Sequence, residues 1–363
     1  MDEQLRLGAS AIFLGFVAGT VMLVPFVAAS YRRHGSFPIG RALTWAAALT
    51  YGWGIWTYTL LPLPDPATLQ CADVNTDLFA FTRDIDNAWS DAAGGPVALL
   101  ADTAFMQLAL NVLLFVPLGF FLRTLGGRGV VTAGAVGLGL SAFIEFTQLT
   151  GVWGLYPCAY RVFDVDDLLT NTVGAIAGSM VALLVPRRLR GAPENDAPGL
   201  PRPVTKPRRL LAMVCDLVGY WVVTAVLGTA VQAYILYVAQ DRATVVEGRV
   251  AEVLSTAVSI TMWFVLTMLT GRTLGDHAVR LRYTGGSLPT ALTRLARFAG
   301  GIGGYGILAI LPGSYSGLAP VFAFVALVTA LSTRNGRGLP GVLARQDLSD
   351  SRTRSPDVRV ADR

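Results

Sequence analysis

NVLLFVPLG at residues 111–119, SAFIEFTQ at 141–148 and RVFDVDDLLTNTVGAIAG at 161–178 decide how this chain is read. All three belong to apolar segments, yet they carry polar residues where a lipid-facing helix carries none. Asn111, Glu145, Gln148 and Asn171 sit within hydrophobic runs, and Arg161, Asp164, Asp166 and Asp167 crowd the connection ahead of the last run. An ionisable side chain at the centre of a membrane helix costs ~2.5–3.5 kcal/mol on insertion scales and marks a functional site by default. These eight residues are therefore the candidate ligand-binding set.

The rest of the chain has the composition such segments need. Of 363 residues, 53% are hydrophobic and 15% charged, against about 25% charged in soluble domains. Apolar runs at 7–29, 42–61, 103–122, 130–150, 168–185, 210–239 and 253–270 approach or exceed the length that crosses a ~30 Å hydrocarbon core. A further run at 298–331 is broken by Pro312-Gly313-Ser314 and reads as a two-helix hairpin. The expected fold is all-α: a polytopic membrane protein with about nine membrane-embedded helices in two bundles. The net charge of +5 falls in short clusters between runs, as positive-inside loops require, and is no nucleic-acid signal. Four segments are expected: a five-helix domain at 1–190, a Pro/Arg-rich linker at 191–207, a second membrane domain at 208–344 and a disordered polar tail at 345–363.

Loop charge predicts the orientation. Arg32, Arg33 and Arg41 follow the first run, Arg123 and Arg128 the third, and Arg187, Arg188 and Arg190 the fifth. The acidic connection 62–102 holds Asp65, Asp73, Asp77, Asp84, Asp86, Asp91 and Asp102 against the single Arg83. Positive-inside places the N-terminus, 62–102, 151–167 and 241–252 outside, with the linker and tail in the cytoplasm. An acidic start and a first run long enough to span give no expectation of a cleaved leader. Within 62–102, Leu78, Phe79, Phe81, Ile85 and Trp89 fit an amphipathic surface helix, although a solvated loop fits too. Cys71 and Cys158 both fall outside, where an oxidising compartment permits a disulfide; two separate thiols are equally compatible.

Helix spacing puts Ser141, Glu145 and Gln148 on one face and Asp167, Asn171, Gly174 and Gly178 on another. Gly174 and Gly178 form an edge that lets a neighbour approach closely, and Pro117 is expected to kink its span. Asp166 or Asp167 is expected to cap the fifth helix, and Arg161 to contact Glu145, directly or through Asn171 or Gln148, at the wall of an outward-opening polar cleft. Structural roles remain open for each: inter-helix hydrogen bonds for Asn111, Gln148 and Asn171, an ion pair for Arg161. No catalytic residue is expected, because His34 and His277 both fall on the cytoplasmic side. Asp164, Asp166 and Asp167 could hold a hard cation through oxygen, but no metal or cofactor is expected.

Asn111 through Pro117 to Gly119, Ile144-Glu145 with Gln148, and Arg161-x-x-Asp164-x-Asp166-Asp167 with Asn171 and Gly174 together resemble the VanZ-like family over the first 190 residues. The resemblance implies a bacterial envelope membrane protein, related to one conferring teicoplanin resistance. The second half resembles the RDD family through Arg209, Asp216, Gly271 to Gly275, Arg294 and Arg297, with Asp276 where that family carries Lys. Asp216 is expected to pair structurally with Arg209 or Arg297. The expected function is non-enzymatic: binding of a membrane lipid, a lipid-linked wall precursor or a lipoglycopeptide in an outer-leaflet cleft. The alternative is an ion or small-solute transporter using Glu145 and Asp216 as relay carboxylates.

Overall fold

The computed structural model describes residues 2–91, 103–186 and 200–353. Helices α1 (Asp2–His34), α2 (Ile39–Leu60), α3 (Ala80–Asp91), α4 (Thr103–Thr124), α5 (Val130–Leu149) and α6 (Val165–Val181) make up the first part. The strands β1 (Val74–Asn75) and β2 (Phe163–Asp164) accompany them. In the second part come α7 (Lys206–Tyr237), α8 (Arg242–Glu247), α9 (Arg249–Thr270), α10 (Leu274–Ala278) and β3 (Leu281–Thr284). It closes with α11 (Thr290–Ala299), α12 (Ile302–Ala309), α13 (Leu318–Ser332), α14 (Gly338–Leu343) and β4 (Asp347–Asp350). Seven described helices are long and apolar enough to cross a membrane: those containing Ile12–His34, Phe105–Thr124, Val130–Leu149, Val165–Leu184, Lys206–Tyr237, Arg249–Thr270 and Tyr315–Ser332. The chain is an all-α polytopic membrane protein. Helix α2 has the length of a span, but its Trp, Tyr and Gly residues lower its hydropathy.

The chain divides into two units, Met1–Gly19 with Pro38–Glu194, and Thr20–Phe37 with Asn195–Arg363. The sequence reading gave all of the first helix to the first domain. Val27 and Tyr31 instead lie in a core with Ala212, Cys215, Val279 and Leu281, within the second unit.

In the first unit α4 and α6 touch backbone to backbone. A Cβ on Gly178 would stand 1.7 Å from the Val116 carbonyl oxygen, one on Gly174 2.2 Å from that of Val112, and one on Gly119 1.7 Å from that of Ala175. The small-residue edge therefore serves this crossing. Helix α4 runs through Pro117 without a break. The ring removes one backbone donor, and the Tyr51 hydroxyl donates nearby to the Leu114 carbonyl at 2.5 Å. Helix α2 stops before Pro62, which has no N–H with which to continue it.

In the second unit the start of α7 is set by Thr205, whose hydroxyl accepts from the Arg208 N–H at 3.4 Å, with Pro207 in the first turn. The expected linker thus ends at Thr205, and its residues 191–199 lie outside the described ones. The expected disordered tail is corrected as well. Residues 347–350 pair antiparallel with β3, Leu281 opposite Asp350 and Thr284 opposite Asp347, and Leu348 is buried in the same core. Pairing satisfies the backbone of both strands, and one apolar side chain is enough to seat so short a strand. The tail beyond Thr353 lies outside the described residues.

Candidate functional site

The polar residues of the first unit assemble at the start of α6. Asp164 is extended, ends β2 beside Asn75 of β1, and caps α6 by accepting the Asp166 N–H at 2.9 Å. This corrects the expectation that Asp166 or Asp167 caps the helix. The helix begins at Val165, three residues before the apolar run, because strand pairing holds Asp164 in the non-helical conformation a cap requires. Asp166 instead accepts from the Phe79 and Phe81 N–H groups at 2.7 and 3.2 Å. That fastens the start of α3 to α6. Asp167 accepts a short hydrogen bond from the Asn111 amide of α4. Asn171 donates to Ser141 at 2.9 Å, and Ser141 donates to the Asp167 carbonyl at 3.3 Å. Glu145 accepts from the Asp164 N–H at 3.2 Å, and Asn75 donates to the Asp164 carboxylate, also at 3.2 Å.

Arg161 and Gln148 lie elsewhere. Gln148 donates to the Thr59 carbonyl at 2.7 Å and Arg161 to that of Leu61 at 3.2 Å. The Tyr160 hydroxyl donates to the Leu60 carbonyl at 3.3 Å. The expected Arg161–Glu145 pair is therefore corrected. The last carbonyls of α2 have no helical partner, and the proline-rich segment that follows supplies few N–H groups. They collect donors from the 148–161 region instead. Tyr156, whose hydroxyl donates to the Pro64 carbonyl at 3.0 Å, Tyr160 and the α2 carbonyls were missed by sequence reasoning, because a helix terminus short of donors leaves no mark in hydropathy.

The acids diverge. One caps a helix, one takes two backbone donors and one faces an amide; no group of three or more His, Cys, Asp or Glu among the described residues is arranged to hold a metal ion. Among the described residues none of Glu145, Asp164, Asp166 and Asp167 has an ion-pair partner. The Asn171 carbonyl oxygen is buried without a hydrogen-bond partner. Glu145 and Asp167 accept one hydrogen bond each, fewer than their carboxyl oxygens can take, so the cluster is rich in acceptors. A cavity of about 410 Å³ in this unit is lined by Tyr51, Ile55, Trp56, Leu118, Phe121 and Leu140. It is apolar, so the expected polar cleft is not this space.

A disulfide joins Cys71 to Cys158, with Cα atoms 5.5 Å apart. The Ala72 N–H donates to the Ala159 carbonyl at 2.8 Å beside it. Next to this staple Gly151, Val152, Trp153 and Gly154 all take positive φ, from 56 to 88°. A β-branched residue held there costs ~1–3 kcal/mol and persists only where its surroundings fix it. Trp153 and Leu155 stand 63% and 68% exposed. Leu78, Phe79, Trp89 and Val162 are also exposed.

Residues 48–186 match the family model described as VanZ/LLP1. The chain carries a VanZ-like domain. No curated protein and no solved structure matches the chain. The residues that bear the RDD resemblance all lie beyond those matched. Every member of the acceptor-rich cluster lies within the VanZ-like domain, as do Cys71 and Cys158.

In the second unit Arg209 pairs with Asp276 at 3.0 Å, both buried. Asp216 accepts from Thr273 at 2.6 Å, the Gly275 N–H at 2.8 Å and Trp263 at 3.3 Å. The expected ion pair of Asp216 is thus corrected: the turn at Thr273 and α10 brings Asp276 to Arg209 and leaves Asp216 to neutral donors. Arg297 stacks over Tyr283, 5.3 Å from its centroid. A second buried pair, Arg208 with Asp350 at 2.8 Å, was missed because 142 residues separate its members. Burial alone would raise the Asp350 carboxyl, but hydrogen bonds from Arg352, the Arg202 N–H and Arg208 hold it well below the usual carboxylate range.

Proposed function

We propose that the VanZ-like domain is a non-enzymatic binding module for an amphiphile with a donor-rich headgroup, a lipid-linked wall precursor or a lipoglycopeptide. The observation that carries this reading is the acceptor excess at the start of α6. Carboxylates and an amide oxygen without a cationic partner favour ammonium, amide N–H and hydroxyl groups over phosphate. The exposed Phe79, Trp89, Trp153 and Leu155 support it, because such side chains belong at the boundary between headgroups and acyl chains. We further propose that this end faces outside a bacterial cytoplasmic membrane, on the strength of the acidic connection 62–102 and the basic loops opposite. By this reading the disulfide and the Asp166 contacts hold α3 beside the acceptor cluster.

The test is equilibrium binding of a lipoglycopeptide and of a lipid-linked wall precursor to the purified full chain in nanodiscs. Glu145→Gln and Asp167→Asn each turn acceptor oxygens into donors. Each is expected to weaken binding at least about tenfold, the scale of one charge-assisted hydrogen bond. No binding of either compound by wild type, or equal binding by both variants, overturns the proposal.

A further inference from the structure

The second unit contains two adjoining spaces of opposite character. One, of about 490 Å³, lies between α7, α12 and α13 and is walled mostly by apolar side chains, among them Met213, Leu217, Phe322 and Leu327. The other, of about 550 Å³, is lined by Arg272, Arg282, Arg294 and Arg297 and by no carboxylate. Gly271, Arg272, Tyr283 and Arg297 line both. A charged mouth therefore opens into an apolar chamber, and the Arg297 guanidinium stands at the junction.

The arginines of the mouth are only partly engaged. Arg272 donates to the Leu281 carbonyl at 2.7 Å and to that of Asp276 at 3.0 Å. Arg294 donates to the Met268 and Leu269 carbonyls. Arg297, only 7% exposed, makes no hydrogen bond to any described residue, and its Nε is buried without a partner, as is that of Arg282. The acids of the apolar chamber cannot serve it. Asp276 is committed to Arg209 and to the Thr273 N–H, and Asp216 to Thr273, Gly275 and Trp263. Burying an arginine without an acceptor is unfavourable, and an anion at the junction would supply one. Val214, Leu217 and Leu327 on the chamber wall keep apolar surface accessible.

We propose that this composite site binds an anionic phospholipid, with its phosphate on Arg297, Arg294 and Arg282 and one acyl chain in the chamber beneath. Charge complementarity selects the headgroup: four guanidiniums and no carboxylate suit a phosphate and disfavour a zwitterion, whose ammonium has no acceptor there. The chamber selects an amphiphile over a soluble anion, because inorganic phosphate would leave it empty. This site is independent of the acceptor-rich cluster in the VanZ-like domain and prefers the opposite charge.

The test is native mass spectrometry of the delipidated full chain titrated with phosphatidylglycerol, phosphatidylcholine or inorganic phosphate. Phosphatidylglycerol is expected to be retained at least about tenfold more tightly than phosphatidylcholine, with inorganic phosphate weaker still. Arg297→Gln should remove most of that preference. Leu217→Trp, which fills the chamber and leaves every arginine in place, should weaken retention of the lipid and not of inorganic phosphate. Should Arg297→Gln fail to fold, Arg294→Gln with Leu217→Trp carries the same comparison. Equal retention of the two lipids, phosphate binding as tight as lipid, or wild-type retention in the variants overturns the proposal.

Discussion

The two polar clusters of this protein differ in how they meet the same difficulty. At the start of α6 the charged groups are carboxylates, held by backbone N–H groups and amides without an ion pair among the described residues. Around α7 and α10 the charged groups are arginines and aspartates joined in buried pairs, with guanidinium groups to spare. The first arrangement leaves acceptors over and the second leaves donors over. The residue types alone do not predict this, since each half has both acids and arginines; the partner of each one decides it.

The sharpest break between the two comes from deleting one partner of a buried pair. Asp350→Asn is expected to cost about 3–5 kcal/mol, because it takes the carboxylate from both buried guanidinium groups, Arg208 and Arg352. Arg208→Met should cost less, since Arg352 still pairs with Asp350, and the double variant should be no worse than Asp350→Asn. Thermal unfolding in detergent measures this. The same pair sets an acid limit. Asp350 has its pKa depressed in the fold, so its contribution is complete above the unfolded carboxylate value of about 3.9 and is lost as pH falls below that toward the folded value. A second unit equally stable at pH 3 and pH 6 would contradict this.

Next in size is the staple of the VanZ-like domain. Cys71 and Cys158 are 87 residues apart, and opening that loop by Cys71→Ser should cost about 2–4 kcal/mol in the chain-entropy account. Limited proteolysis of 62–91 under reducing and oxidising conditions should differ for wild type and not for the variant. Gly178→Val should cost about 1–3 kcal/mol by pushing α6 off the Val116 carbonyl. Gly139→Ala, where a Cβ meets nothing within 4 Å, serves as the control. Asp166→Asn should cost about 1–2 kcal/mol, with faster hydrogen exchange confined to the amides of Phe79 and Phe81.

The smallest effect separates the two networks of the VanZ-like domain itself. Arg161→Ala removes a hydrogen bond to a helix-end carbonyl, worth about 1 kcal/mol. Since Arg161 and Glu145 share no partner, Arg161→Ala and Glu145→Gln should add within about 0.5 kcal/mol. A coupling above 1 kcal/mol would restore the ion pair that the structure replaces.

Composition and the spacing of apolar runs were enough to establish an all-α membrane chain, because ~20-residue apolar runs have few other stable uses. They also singled out Asn111, Glu145, Asp166, Asp167 and Asn171 as unusual, since a polar residue in such a run must find a partner. Gly174 and Gly178 were legible as a close-packing edge for a similar reason: small side chains at a four-residue spacing leave one helix face bare. Which partner each polar residue finds was not legible. The carbonyls of α2 took Arg161 and Gln148, strand pairing made Asp164 the cap, and β4 brought Asp350 to Arg208 across 142 residues. Hydrogen bonds and ion pairs act over about 3 Å in space and are indifferent to separation along the chain. Only the folded arrangement, therefore, could decide which carboxylates were satisfied, which arginines were left over and where a ligand of either charge would be held.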